Sequence, residues 1–446
     1  MHLLGVAGAG MRALAAVLVE GGWIVSGSDR NPNSDVTLST LGVTVVPDED
    51  TQHAIDSTLV VHSSAIPASH PARAAAERAG VPVRKRSSIL GALVNDRRLA
   101  AVAGTHGKTT VTTMLGLALE AADRDPLVLV GGHVPEWGGN ARVGAGPEAV
   151  VEADEYDRSF LQLDPALAIV TSVEPEHLEC YADEEDLRSS FATFAERAVE
   201  RAGVLVCADD EGARALADRL PSSTTYGFDA AADYRLQVIA SAADGQRCRL
   251  RGPELDLSFD LGAPGAHNAQ NAAAALLAAT LLGADAPTLS ACLGHFRGVD
   301  RRLQKIASRG GVIVLDDYAH HPTEVRASIA AVRSAWPAAR IVAVFQPHLY
   351  SRTGAMAAEF GTALARADQV LVLPIYAARE APIPGIDSGL VVRQAPGHVR
   401  LADEVEATQL VKSARRDTVF LFMGAGDITE TAHRAARELE GHALEV

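Results

Sequence analysis

Residues 99–110 read Leu99-Ala100-Ala101-Val102-Ala103-Gly104-Thr105-His106-Gly107-Lys108-Thr109-Thr110, five apolar residues that break into a glycine-bounded loop and then into a helix start. The apolar run predicts a buried strand of a parallel sheet. The loop sets backbone N–H groups at the positive end of the helix that follows, and that arrangement favours an anion. A lysine and a hydroxyl follow at once. The pattern predicts an ATP phosphate loop over Gly104, Thr105, His106, Gly107, Lys108, Thr109 and Thr110. Lys108 would reach the β- and γ-phosphates, and the Thr109 hydroxyl would be placed on Mg2+. The generic motif wants a glycine five residues before Gly107, where Val102 stands. The bland alternative is a plain strand-to-helix turn.

Outward from the loop, the same alternation of apolar strand, turn and helix recurs on both sides, so the fold class is α/β with parallel sheets. Before it, a strand is expected at 3–7, a helix at 11–20 and a strand at 23–28, and a boundary is placed at the basic stretch 84–88. After it, 149–151 and 168–171 are expected as strands of the same sheet. An Ala-rich helix at 268–282 closes that unit. A third unit begins near 298, with strands at 312–315, 341–345, 370–373 and 419–422.

The chain has 446 residues, enough for two to four domains. Its formal charge of −16 makes duplex DNA and anionic membrane surfaces poor partners. The longest apolar stretch, 272–282, is too short to span a bilayer. Four widely spaced cysteines form no Cys-x-x-Cys pair, as expected in a reducing compartment. Met1-His2 leads straight into a strand, so no secretory signal is expected and the cytoplasm is the expected location.

Further motifs sit where α/β sheets put their ligands, at strand ends. Gly8-Ala9-Gly10-Met11 with Asp29 at the end of the second strand fits a dinucleotide fingerprint, which reads as a site for a diphosphate-bearing nucleotide or as a tight turn. Glu152, Asp154 and Glu155 follow one strand; Glu174, Glu176 and His177 follow another. These donors suit one or two cations, though acidic loops are more often merely solvated. His267, Asn268 and Asn271 open the Ala-rich helix, either as caps or as amides for a purine edge. In the third unit, Asp316-Asp317-Tyr318-Ala319-His320-His321 and Gln346-Pro347-His348-Leu349-Tyr350-Ser351-Arg352 each follow a strand. Adjacent histidines rarely share one ion, so phosphate binding or positioning of an amine is preferred to a metal site. Arg301-Arg302 is a solvated pair or a phosphate clamp.

Together these motifs resemble the Mur ligase family, and within it the alanine-adding branch. The residues that carry the resemblance are 5–11, 104–110, 152–157, 267–271, 298–304, 316–324, 345–353 and the distinctive 377–388. The phosphate loop fits the family's shorter form, which has no glycine at position 102. The resemblance implies three domains: a Rossmann-like UDP-binding domain at 1–88, a central P-loop ATPase-type domain at 89–297 and a Rossmann-like amino-acid domain at 298–446. It implies that L-alanine is joined to the lactyl carboxylate of UDP-N-acetylmuramate at the expense of ATP, by a monomer or homodimer. Gly8, Ala9, Gly10, Met11, Asp29, Ser63 and Ser64 would hold UDP. Thr109, Glu152 and His177 would hold cations; Asn268 and Asn271 would bind adenine, Asp317 ribose and Arg302 phosphate. Lys108, His320 and Arg352 would serve the chemistry.

Leu349 stands where many relatives carry arginine. Tyr156 stands where serine is more frequent, and a tyrosine there also occurs in a recycling ligase that attaches a whole tripeptide. Sister ligases use a carbamylated lysine in the central domain, and this chain has no lysine between Lys108 and Lys305. A non-catalytic nucleotide-binding regulator and an NAD-dependent dehydrogenase are the readings from other classes.

Overall fold

The structure, a computed structural model, describes residues 1–30, 36–378 and 380–441. The described chain forms three sheets. Two compact units hold them: one comprises Met1–Gln237, Cys248–Asp260 and Gln270–Phe296, the other Val238–Arg247, Leu261–Ala269 and the chain from Arg297 onward.

The first sheet contains β1 (His2–Leu4), β2 (Ser26–Asp29), β3 (Thr44–Pro47), β4 (Val60–His62) and β5 (Val83–Lys85) in the order β3-β2-β1-β4-β5. Every pairing is parallel. Its core is Leu3, Val6, Met11, Leu14, Leu18, Val25 and Val61. Two strand expectations are corrected here. The strand expected at 3–7 ends at Leu4, because Gly5 turns at φ 79° and the Gly5 and Val6 N–H groups donate to the Ser28 carbonyl. The helix accordingly starts early, at Ala9. The strand expected at 23–28 begins only at Ser26, since Trp23 and Ile24 lie on the surface, 48% and 92% exposed.

The central sheet contains β6 (Arg98–Ala103), β7 (Leu127–Val134), β8 (Gly139–Arg142), β9 (Glu148–Glu152), β10 (Leu167–Val170), β11 (Gly203–Cys207), β12 (Thr224–Gly227), β13 (Tyr234–Ala242), β14 (Gly245–Arg251) and β15 (Asp256–Leu261). The order is β15-β14-β13-β12-β11-β10-β6-β9-β7-β8. β6 lies between two parallel neighbours, with Val102 paired to Ile169 on one side and Glu152 on the other. Val102 is therefore a fully buried residue in the strand interior, two positions before the loop opens. The helix after the loop, Lys108–Ala121, buries Val111, Met114, Leu115 and Leu119, so it is fixed by packing along most of its length.

The third sheet contains β16 (Gln304–Arg309), β17 (Val312–Asp317), β18 (Arg340–Phe345), β19 (Gln369–Val372), β20 (Val399–Leu401) and β21 (Thr418–Met423), in the order β16-β17-β21-β18-β19-β20. Only the β16–β17 hairpin is antiparallel. Because β17, β21 and β18 are adjacent and parallel, the loops that follow them emerge at one edge. Those are the loops beginning at Tyr318, Gly424 and Gln346.

Candidate functional site

The phosphate loop is held open by backbone geometry that favours glycine. Gly104 sits at φ 136° and Gly107, the residue before the helix, at φ 80°. A Cβ on Gly104 would lie 2.1 Å from the Thr171 hydroxyl oxygen, and one on Gly107 would lie 2.6 Å from Asn271 Oδ1. No side chain caps the helix, which leaves its first-turn donors directed at the loop. The loop is tied to the end of β10: Thr105 N–H donates to the Ser172 carbonyl at 3.0 Å and His106 N–H to Ser172 Oγ at 2.9 Å. In return, Glu174 N–H donates to Thr105 Oγ1 at 2.8 Å.

Lys108 Nζ lies 3.0 and 2.7 Å from the two Glu155 oxygens and also donates to the Gly104 carbonyl. Burial alone would push the Lys108 ammonium down, but the charges of Glu155, Asp154 and Glu152 carry it above the ordinary lysine range. Glu155, only 2% exposed, is pushed up by burial against the opposing pull of Lys108. Thr109 Oγ1 donates to Glu152, whose oxygens are 3.1 and 3.0 Å away, and Gly131 N–H donates to the same carboxylate at 2.7 Å. His177 groups with Glu155 and Glu176, their ligand atoms all within 4.8 Å of one another. The expected cation residues thus fall into two groups, Thr109 with Glu152 and His177 with other carboxylates. Hydroxyl and carboxylate oxygens are the hard donors that Mg2+ takes, so Thr109 and Glu152 fit that ion.

In the first domain, Gly8 precedes the helix Ala9–Glu20, again with no capping side chain, and Gly10 and Met11 fall in its first turn. Asp29 Oδ2 accepts from Ala7 N–H at 3.1 Å, so the acidic residue braces the turn. Ser63 N–H donates to the Leu4 carbonyl, and the Ser64 side chain joins Lys85 on the Asp157 carboxylate. Asp157 and Arg158 are both left-handed at φ 53°; Lys85 reaches Asp157 at 2.8 Å, while Arg158 pairs with Asp186.

In the second unit, Tyr318 lies under two guanidinium groups, with Arg301 4.8 Å and Arg302 5.1 Å from the ring centre. Asp317 accepts from Ala319 N–H at 2.7 Å and Leu303 N–H at 2.8 Å, and burial pushes its carboxyl up to about 6 despite the Arg302 charge. His320 Nδ1 is 3.0 Å from the Tyr318 carbonyl and 3.1 Å from Glu324. His321 instead caps the helix Pro322–Ala335 in a reciprocal box with Glu324, a structural duty. Burial, with the Arg302 charge, pushes His267 down to about 4. Asn268 Nδ2 donates to the Pro264 carbonyl at 2.8 Å. Arg352 lies in the short helix Tyr350–Ala355, which Leu349 precedes at φ 69°. Arg379, within the stretch 377–388, lies outside the described residues.

Three family profiles match the chain: the "Mur ligase family, catalytic domain" over residues 1–98, the "Mur ligase middle domain" over 102–279, and the "Mur ligase, glutamate ligase domain" over 301–426. The UDP-N-acetylmuramate–L-alanine ligase of Chlorobaculum parvum is 41% identical over 449 residues, covering 98% of this chain and 95% of that one. The chain belongs to the Mur ligase family. The namesake enzyme of Streptomyces avermitilis is 43% identical over 452 residues, covering 97% and 96%. The crystal structure of UDP-N-acetylmuramate-alanine ligase from Thermotoga maritima superposes with a TM-score of 0.83 at 27% identity, covering 99% of each chain. A murein peptide ligase from Psychrobacter arcticus shares the fold with a TM-score of 0.71 at 22% identity. The three-domain α/β architecture of the family is therefore that of this protein.

Neither the Lys108–Glu155 pair nor the Thr171–Ser172 buttress is visible in the sequence, where Glu155 is only one of several possible cation ligands. Spacing carries no signal for a carboxylate that reaches a lysine from another strand end.

Proposed function

We propose that this protein is an ATP-dependent ligase that joins L-alanine to the lactyl carboxylate of UDP-N-acetylmuramate. The observation that carries the reading is alignment at 41–43% identity over nearly the whole chain with ligases of that name. The domain limits proposed are 1–88 for the UDP substrate, 89–297 for ATP and 298–446 for the amino acid.

A carboxylate repels an amine and has no adequate leaving group, so it must be activated first. In the proposed reaction the lactyl carboxylate attacks the γ-phosphorus of ATP, releasing ADP and forming an acyl phosphate. The amine of L-alanine then adds to the acyl carbon, and phosphate leaves with the former carboxylate oxygen. Phosphoryl transfer of this kind is served mainly by positioning and by neutralising charge. Lys108 and the first-turn N–H groups of the helix Lys108–Ala121 would supply this at the phosphates, and Arg302 is assigned a phosphate contact. Thr109 and Glu152 would hold Mg2+, and His177 with Glu155 and Glu176 would hold a second cation; the ions would contribute charge neutralisation on the phosphate oxygens. Asn268 and Asn271 are assigned to adenine and Asp317 to ribose. Gly8, Ala9, Gly10, Met11, Asp29, Ser63 and Ser64 are assigned to UDP. His320, which contacts the Tyr318 carbonyl and Glu324, is assigned to steer or deprotonate the attacking amine, and Arg352 is assigned to the acyl phosphate.

The proposed location is the cytoplasm, with neither nucleic acid nor membrane as partner. No helix among the described residues is long and apolar enough to cross a membrane. Phosphate release from ATP should require both UDP-N-acetylmuramate and L-alanine, and Lys108→Ala should lower it by about 10²–10³-fold. Faster turnover with L-Ala-γ-D-Glu-diaminopimelate than with L-alanine would replace this reading with that of the recycling ligase. Full activity in Lys108→Ala would overturn the mechanism.

A further inference from the structure

The chain that follows β19 returns along the loop that follows β18 and holds it at three points. At the first, His348 and Tyr376 form a short parallel bridge. Leu349 N–H donates to the Tyr376 carbonyl at 3.0 Å, Tyr376 N–H donates to the Pro347 carbonyl at 2.8 Å, and the two rings stack with their centroids 5.8 Å apart. At the second, one oxygen of the Glu380 carboxylate accepts the Ser351 N–H at 3.0 Å and the other accepts the Ser351 hydroxyl, with the Tyr350 N–H directed at the same group. At the third, Ile386 covers Gly354, where an added Cβ would lie 3.0 Å from Ile386 Cδ1.

The helix Tyr350–Ala355 depends on the second point. Leu349, the residue before it, gives no side-chain cap, and the first N–H groups of a helix have no partner within it. A carboxylate answers both the open donors and the positive end of the helix dipole, and Glu380 brings one from 29 positions away. A helix of 6 residues is too short to hold itself, and Leu349 sits at φ 69°, which a residue with a Cβ keeps only when its surroundings fix it. Burial opposes the charge on Glu380, but the bonds from Ser351 and Tyr350 keep its carboxyl below the ordinary glutamate range. Arg352 follows Ser351 in the same first turn, so what fixes Ser351 also fixes the direction in which Arg352 leaves the backbone.

The geometry points to Glu380 as a positioning residue for the ligation: by capping the helix Tyr350–Ala355 it aims Arg352 at the acyl phosphate. This rests on the assignment of Arg352 within the ligase reading above. Glu380 acts through Arg352 and not on the substrate itself.

Phosphate release with UDP-N-acetylmuramate, ATP and L-alanine, measured in steady state over a double-mutant cycle of Glu380 and Arg352, tests this. Glu380→Ala should lower kcat roughly tenfold to a hundredfold, the scale of a misaimed group, and leave KM for ATP and for UDP-N-acetylmuramate within about twofold. Glu380→Gln, whose amide oxygen still accepts an N–H, should recover part of the loss. In an Arg352→Ala protein, adding Glu380→Ala should change kcat by less than about twofold, because the group that Glu380 aims is gone. Equal kcat in wild type and a folded Glu380→Ala would refute the proposal. Losses that simply multiply in the double variant would refute it too, since a cap that only stabilises the fold costs the same with or without Arg352. If Glu380→Ala does not fold, Ser351→Ala, which removes one of the bonds to the carboxylate from an exposed side chain, carries the same cycle with a smaller loss of roughly twofold to tenfold. Wild-type kcat in Arg352→Ala would overturn the assignment of Arg352 and this proposal together, whereas a wild type that releases no phosphate would overturn the ligase reading and the proposal with it.

Discussion

Replacing Glu155 by glutamine should tighten ATP binding. The Lys108 ammonium spends its donors on the Gly104 carbonyl and the two Glu155 oxygens, at 3.0 and 2.7 Å. An ammonium has three donors, so Lys108 must release Glu155 before it can hold a phosphate. Hydrogen bonds to charged groups contribute about 1.5–3 kcal/mol against about 0.5–1.5 for neutral ones, so the amide weakens the hold by about 1–1.5 kcal/mol. That corresponds to roughly tenfold tighter ATP. Titration calorimetry at fixed Mg2+ measures it directly. A pH series supplies an internal check: Glu155 is pushed up by burial, and protonating it frees Lys108. Wild-type ATP affinity should therefore strengthen as pH falls through that titration, and Glu155→Gln should lack the component. Weaker ATP binding by Glu155→Gln, with the fold intact, would refute the argument and make Glu155 a ligand of the bound state.

Gly104→Ala would drive a Cβ to 2.1 Å from Thr171 Oγ1 and 2.9 Å from Ser172 N at a φ of 136°; backbone strain and overpacking together should cost about 2–5 kcal/mol in thermal unfolding. Leu349 holds φ 69° without being glycine, so Leu349→Gly should relieve about 1 kcal/mol in denaturant unfolding. Asp317 is raised to about 6, so the folded state binds its proton more tightly, and this contribution to stability is lost as pH rises from about 4 to about 6. His267 is lowered to about 4, so its contribution is present above about 6.5 and is lost as pH falls toward 4. Between pH 4 and 6 the two oppose each other. Asp317→Asn should therefore shift the stability difference between pH 7 and pH 4 by about 3 kcal/mol in favour of pH 7, and His267→Gln should remove the acid-side loss; urea midpoints across that range decide both.

The parts of this protein that were legible in sequence are those whose chemistry is local to a strand end. The 104–110 loop, the Gly8–Gly10 turn and the Tyr318–His321 loop each place their reactive groups within a few residues of a buried apolar run, and parallel α/β topology forces such positions to one edge. Strand and helix limits were less legible. Val6 and Ala7 are apolar enough for a strand, but the Gly5 turn, held by the Ser28 carbonyl, overrides that pattern. His321 looked reactive from its neighbours, and only its pairing with Glu324 makes it a cap.

What sequence spacing could not supply was lateral partnership. Lys108 and Glu155 are 47 positions apart, and Arg86 and Gly10 are 76 apart; each pair meets only because separate strands deliver them side by side. The two cations then differ in a way that composition cannot reveal. Lys108 is neutralised by the buried Glu155 carboxylate, whereas Arg86 lies beside Gly10 and makes no hydrogen bond or ion pair among the described residues. Val102 makes the same point about a single residue. Read along the chain it is a missing glycine, but between Ile169 and Glu152 it is a strand interior, and the turn that needs glycine begins two residues later.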